Sequence, residues 1–128
     1  MILEVNNLVC GYGDITVVNN FSFRVKGGQI LGLIGANGAG KTSAILALSG
    51  LIPVREGEVR IEGRDVTNLA AHKRVLAGFA LVPEGRRVFA ELSVEENLLI
   101  GGIRLSKKRM RNNRDRIFSI FPIYCYCS

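Results

Sequence analysis

The chain has 128 residues, 48% of them hydrophobic, which is enough for one ordinary core and too little for two domains. No stretch of about 18 uninterrupted apolar residues exists, and the N-terminus lacks a basic segment followed by an apolar one, so the composition argues against a membrane span and a secretory signal and predicts a cytosolic location. Cys10, Cys125 and Cys127 are odd in number and lack metal-ligand spacing, so they are read as reduced thiols without a role. The net charge of +6 sits almost entirely in residues 104–116, where seven basic side chains face a single acid, Asp115.

Taken in chain order, Ile2, Leu3 and Val5 suggest a first strand, and Phe21, Phe23 and Val25 alternate with Ser22, Arg24 and Lys26 in a half-buried strand that stops at Gly27-Gly28. Alternation of this kind predicts an antiparallel sheet. The run Ile30-Leu31-Gly32-Leu33-Ile34 has no polar face and reads as a central parallel strand covered on both sides. Ser43–Ser49 carries Ile45, Leu46 and Leu48 at helical spacing and closes at Gly50. Residues 58–62 alternate again, with Val59 and Ile61 on one side. Ala70–Ala77 reads as a short helix stopped by Gly78, and Phe79-Ala80-Leu81-Val82 as a strand ended by Pro83. Ser93-Val94-Glu95-Glu96 is a capping box that opens a helix through Ile100. A last helix, from about Ser106 to Ile120, places Met110, Arg114, Ile117 and Phe121 on one face, and the remaining basic residues read as its solvated side. Lys107, Lys108 and Arg109 oppose the dipole at its start, which predicts fraying there.

One segment carries chemistry. Gly35-Ala36-Asn37-Gly38-Ala39-Gly40-Lys41-Thr42 fits G-x-x-x-x-G-K-[ST] without a mismatch and follows an apolar run. A nucleoside triphosphate needs several converging N–H donors and a cation, and backbone that lacks Cβ atoms can close around its oxygens. Gly35, Gly38 and Gly40 are expected to take positive φ, the N–H groups of residues 37–42, Asn37 and Ala39 among them, to hold phosphate oxygens, Lys41 to reach the β- and γ-phosphates, and Thr42 to offer its hydroxyl to Mg²⁺. The helix that begins at Ser43 adds its dipole. The competing reading is a glycine-rich turn between a strand and a helix. The dinucleotide pattern G-x-G-x-x-G does not occur, which argues against a nicotinamide enzyme.

With that loop in place, the chain resembles the N-terminal half of an ATP-binding cassette (ABC) ATPase, and most of all the smaller ATP-binding subunits of branched-chain amino-acid importers. Gly11-Tyr12-Gly13 matches the family's adenine-stacking segment, which gives Tyr12 that role. Residues 71–89, from Ala71-His72-Lys73-Arg74 to Val82-Pro83-Glu84-Gly85-Arg86-Arg87-Val88-Phe89, resemble the passage from the nucleotide-binding core into the helical subdomain. Glu84 stands where most of the family has glutamine, and the resemblance implies that it reaches Mg²⁺ and the attacking water. His72 is not at the family's switch-histidine position. The resemblance covers residues 1–121 and implies an α/β P-loop NTPase of ABC type, incomplete, with an antiparallel β layer, central parallel strands and the start of a helical subdomain. It divides the chain into a core (1–84), the start of the helical arm (85–121) and a tail (122–128) that is frayed or foreign.

The implied ligands are ATP and Mg²⁺. The implied partners are a second ATP-binding subunit and transmembrane permease subunits, with the chain peripheral on the inner face of the plasma membrane and no specific nucleic acid bound. Residues 1–128 contain no Leu-Ser-Gly-Gly-Gln signature, no strand ending in Asp-Glu and no switch histidine. The expectation is therefore a shortened chain with an exposed apolar sheet edge, poor solubility and nucleotide binding without turnover. A GTPase or small-molecule kinase is disfavoured because Asn-Lys-x-Asp is absent. A nucleic-acid-binding reading of residues 104–116 is disfavoured because no aromatics interleave the basic residues.

Overall fold

A computed structural model describes residues 2–85 and 87–126, in two units that divide between Val82 and Pro83. In the first unit, the alternating segments pair with one another. β1 (Leu3–Tyr12) and β2 (Ile15–Val25) form an antiparallel hairpin. β3 (Val54–Ile61) pairs antiparallel with the other side of β1, and the short β4 (Arg64–Asp65) pairs with β3, giving the order β2-β1-β3-β4. The register sets Val5 opposite Phe23 on one side and Val59 on the other. Cross-strand partners share a face, so Val5 and Val59, both fully buried, form the centre of the inner face with Leu8 and Cys10.

α1 (Lys41–Ser49) lies on that face. Ala44, Ala47 and Leu48 are buried against the sheet, as an apolar stripe at helical spacing requires. Its last turn ends at Gly50, whose φ of 78° is the left-handed conformation that glycine adopts freely, and the Leu51 N–H donates back to the Leu46 carbonyl at 2.9 Å. α2 (Ala71–Leu76) contributes Arg74, which is 2% exposed. Its guanidinium donates to the carbonyls of Ala47 (2.7 Å), Leu48 (2.8 Å), Thr67 (2.6 Å) and Leu69 (3.0 Å), so the C-terminal carbonyls of α1 are met by a buried cation rather than by water.

The second unit contains α3 (Val94–Gly101), α4 (Lys107–Ile120) and a single-turn 3₁₀ segment, Pro122–Tyr126. The capping box at Ser93 is formed in both directions: the Glu96 N–H donates to Ser93 Oγ at 3.2 Å and the Ser93 N–H to Glu96 Oε2 at 2.8 Å. Arg114 of α4 donates to Glu95 of α3 at 2.7 Å and to Asp115 at 2.9 Å. Met110, Arg114 and Ile117 are half-buried, in line with the predicted inner face, whereas Phe121 is 52% exposed and packs on Tyr124 with ring centroids 6.0 Å apart.

Several expectations are corrected. The runs 30–34 and 79–82 are not strands: every described sheet pairing is antiparallel, Ile30 is 100% and Ile34 98% exposed, and Val82 is 91% exposed. An apolar strand of this type is stable only with strands beside it and layers on both faces, and no described residue supplies them. The start of α4 is not frayed, because Ser106 Oγ accepts the Arg109 N–H at 3.4 Å and caps the turn despite its basic residues. Residues 122–126 form a helical turn, while Cys127 and Ser128 lie outside the described residues, as does Arg86 within the 71–89 match.

Candidate nucleotide-binding site

The segment 35–42 closes into a loop directly ahead of α1. Gly38 and Gly40 take φ of 84° and 82°, a conformation that strains any residue with a Cβ, whereas Gly35 does not adopt positive φ. Gly35 instead sits close to its neighbours, since a Cβ there would meet the Ala39 methyl at 3.4 Å. Gly40 is constrained twice. A Cβ on it would lie 2.9 Å from Val18 Cγ2 and 3.0 Å from the Val17 carbonyl, so the turn into α1 is pressed against β2.

α1 begins two residues earlier than its apolar periodicity indicates, which brings Lys41 and Thr42 into its first turn. Gly40 offers no capping side chain and the first turn holds no acid, so the leading N–H groups of α1 are not taken up by a cap. α3, by contrast, satisfies its own N-terminus with Ser93 and Glu96. Lys41 Nζ donates to the Gly35 carbonyl at 2.5 Å and the Ala36 carbonyl at 2.6 Å, and the Ala39 N–H shares the Ala36 carbonyl at 3.1 Å. Among the described residues Lys41 has no ion-pair partner; its charge is met by carbonyl dipoles alone. A polyphosphate would satisfy that charge better, since an ammonium-to-phosphate contact is a charge-assisted bond between opposite ions.

Thr42 is exposed in the first turn, Ser43 is 7% exposed, and the Ser43 carbonyl accepts the Cys10 thiol at 3.6 Å, which ties the start of α1 to β1. Burial pushes the Cys10 thiol up from its usual range, partly offset by the nearby Arg55 charge. Among the described residues no three His, Cys, Asp or Glu side chains gather around a point. The exposed Thr42 hydroxyl is a hard oxygen donor of the kind that suits Mg²⁺ in company with phosphate oxygens.

A cavity of about 320 Å³ opens between β2 and the loop, lined by Val17, Val18, Phe21, Leu33, Ile34 and Lys41 among others. Its walls are mostly aliphatic, so it is the gap left beside the unpaired run 30–34 rather than a phosphate chamber. Tyr12 stands at the tip of the β1–β2 hairpin, paired in register with Ile15; both are exposed, 48% and 70%. Val17 lies two residues from Ile15, roughly 7 Å along the strand. The Gly40 turn packs against Val17 and Val18 of β2, a few residues along that strand from Ile15, the register partner of Tyr12.

Glu84 belongs to the second unit, where it is exposed in a turn with Gly85 (φ 79°), and its carbonyl accepts the Arg87 Nε at 3.2 Å. His72 is exposed on α2. The sequence reading missed two residues of the first unit: Arg74, described above, and Arg55, which reaches the hairpin tip from β3. Both Arg55 partners and two of the four Arg74 acceptors, Ala47 and Leu48, lie far along the chain, and no local pattern in the sequence marks them.

The ABC transporter family profile matches residues 18–123. The high-affinity branched-chain amino acid transport ATP-binding protein BraG of Pseudomonas aeruginosa is 40% identical over 87% of this chain and 48% of its own length. The lipopolysaccharide export system ATP-binding protein LptB of Haemophilus influenzae is 34% identical over 95% of this chain and 52% of its own length. Among solved structures, an ATP-binding subunit of an ABC transporter superposes with a TM-score of 0.73 at 33% identity, covering 84% of this chain and 45% of the other. The ADP conformation of an ATP-binding cassette matches with a TM-score of 0.69 at 30% identity, covering 88% of this chain and 45% of the other. The chain spans about half the length of the curated relatives it matches. On these grounds, and with its P-loop formed at the head of α1, the chain belongs to the ABC transporter ATP-binding family.

Proposed function

We propose that this chain binds ATP with Mg²⁺ and serves as the ATP-binding part of a transporter that couples ATP hydrolysis to the import of branched-chain amino acids. The observation that carries the binding step is the uncapped start of α1 beside Lys41, whose charge has only carbonyl partners among the described residues. In this reading Lys41 leaves the Gly35 and Ala36 carbonyls to neutralise the β- and γ-phosphates, and the N–H groups of Asn37, Gly38, Ala39 and Gly40, with those of Lys41, Thr42 and Ser43, hold the oxygens. Thr42 ligates Mg²⁺, which neutralises charge developing on the transferred phosphoryl group. Tyr12 stacks on adenine, a contact worth about 1–3 kcal/mol. Glu84 is assigned by resemblance to Mg²⁺ and the attacking water.

The family does not fix the cargo. BraG supports branched-chain amino acids, whereas LptB, at 34% identity, is named for lipopolysaccharide export. Partners of the reading are a second ATP-binding subunit and permease subunits on the cytoplasmic face of the membrane. No helix among the described residues is long and apolar enough to cross it.

A second reading keeps binding and drops turnover within these residues, because residues 1–128 hold no signature, no Asp-Glu strand end and no switch histidine. Calorimetric titration with MgATP tests the first step: saturable binding that Lys41→Ala weakens at least about tenfold is expected, and no binding overturns it. Phosphate release at saturating ATP then separates the readings. Release abolished by Lys41→Ala supports hydrolysis by this chain, and none supports binding alone. Capture of a branched-chain amino-acid permease, in preference to a lipopolysaccharide-export permease, tests the cargo.

A further inference from the structure

We propose that Arg55 is a positioning residue for base recognition: it holds the Tyr12 hairpin tip in place, so that part of the selectivity for an adenine nucleotide is set from β3. The inference rests on the reading of Tyr12 as the stacking residue. The β1–β3 ladder pairs Val9 with Glu56 and Cys10 with Val54, which leaves Arg55 as the extra residue of a bulge. Bulges re-aim side chains. Here the bulge sends a guanidinium across β1 to both halves of the hairpin tip: Nη1 donates to Thr16 Oγ1 at 3.0 Å, and Nη2 donates to the Gly13 carbonyl.

The tip needs such a brace. Gly13 and Asp14 form its two-residue turn, Gly13 at φ 50°, and all residues from Tyr12 to Thr16 are exposed. An unsupported hairpin end with few buried contacts opens easily, and an aromatic platform that must first be ordered loses affinity. The planar fork of Arg55 spans Gly13 and Thr16, on either side of the Tyr12–Ile15 pair, which no lysine can match with one ammonium. Among the described residues Arg55 has no ion-pair partner, so its two hydrogen bonds go to the hairpin alone.

The test compares affinities of the whole chain for ATP and for inorganic tripolyphosphate, which lacks the base. Arg55→Ala is expected to weaken ATP by about three- to tenfold while leaving tripolyphosphate within about twofold, and Arg55→Lys and Thr16→Val to weaken ATP by less. Tyr12→Ala, the control for the underlying reading, is expected to weaken ATP about tenfold with tripolyphosphate unchanged. If Tyr12→Ala behaves so and Arg55→Ala does not, the proposal for Arg55 falls and the stacking reading stands. If Tyr12→Ala spares ATP, or the unsubstituted chain binds no ATP, the stacking reading falls and the Arg55 proposal with it. Equal weakening of both ligands by Arg55→Ala and Thr16→Val would mark a general structural role and overturn the proposal.

Discussion

The antiparallel layer and the apolar run at 30–34 are both rich in aliphatic residues, yet they end in opposite environments. β1, β2 and β3 alternate apolar with polar residues, so each needs one covered face and one or two neighbours, and α1 together with the adjacent strands supplies both. The run Ile30–Ile34 is apolar on both faces and therefore needs two covering layers and strands at its sides. Without them Ile30 and Ile34 stand in solvent, each forgoing about 2 kcal/mol of burial. Hydrophobic content is thus a poor guide to what is ordered by its own neighbours. The number of faces a segment must cover is the better one.

The largest expected effect tests the satisfied side of that contrast. Arg74→Ala removes the donor that meets the Ala47, Leu48, Thr67 and Leu69 carbonyls at a site 2% exposed, and should cost about 3 kcal/mol in urea unfolding, with Arg74→Lys recovering only part. Gly40→Ala follows, at about 1–2 kcal/mol, because its φ of 82° and the 2.9 Å approach to Val18 both resist a Cβ. Unlike Arg74→Ala, it should also weaken MgATP at least about tenfold by calorimetry, since the turn that aims α1 at the loop shifts. Equal ATP affinity in the two variants would break the distinction between holding the layer and shaping the loop.

Much of this was legible in the residues. The period-2 pattern of Phe21, Phe23 and Val25 and of Val59 and Ile61 located the antiparallel strands, and the P-loop pattern located the one turn in which Gly38, Gly40 and the head of α1 meet. The Ser93 capping box is formed as spelled. What escaped depended on neighbours. Ile30–Ile34 carries a strand's composition, but strand formation is decided by partners that composition does not name. Arg55 and Arg74 escaped because the contacts that set them apart, Arg55 to Gly13 and Thr16 and Arg74 to the Ala47 and Leu48 carbonyls, join distant segments, and a distant acceptor leaves no mark beside the residue itself. Ser106 caps α4 despite the three basic residues that follow it, because one hydroxyl cap offsets a dipole penalty of similar size.

A smaller effect probes the inner face of the layer through pH. Burial raises the Cys10 thiol above its ordinary 9.0, so the folded chain keeps this proton where the unfolded chain releases it. Cys10 therefore leaves stability unchanged below the ordinary value, and its contribution is lost as pH rises through that value toward the raised one. The slope is at most about 1.4 kcal/mol per pH unit. Urea midpoints compared between about pH 8 and about pH 10 should fall less in Cys10→Ala than in the unsubstituted chain. Parallel falls would mean that Cys10 is less sealed by α1 than its burial indicates.

The smallest expected change in stability is at Ile30, and it separates the two halves of the comparison most cleanly. Ile30 is 100% exposed, so Ile30→Lys removes no buried contact and should shift unfolding by no more than about 0.5 kcal/mol, whereas Leu8→Ala, at a fully buried position of β1, should cost about 2–4 kcal/mol. The same Ile30→Lys change places a charge on an apolar run with no described strand beside it, and charges on such segments oppose strand-on-strand association. Sedimentation should therefore show less self-association in Ile30→Lys at unchanged urea midpoint. A large loss of stability would mean that the run is packed in solution after all, and that the layer and the run differ less than their exposures indicate.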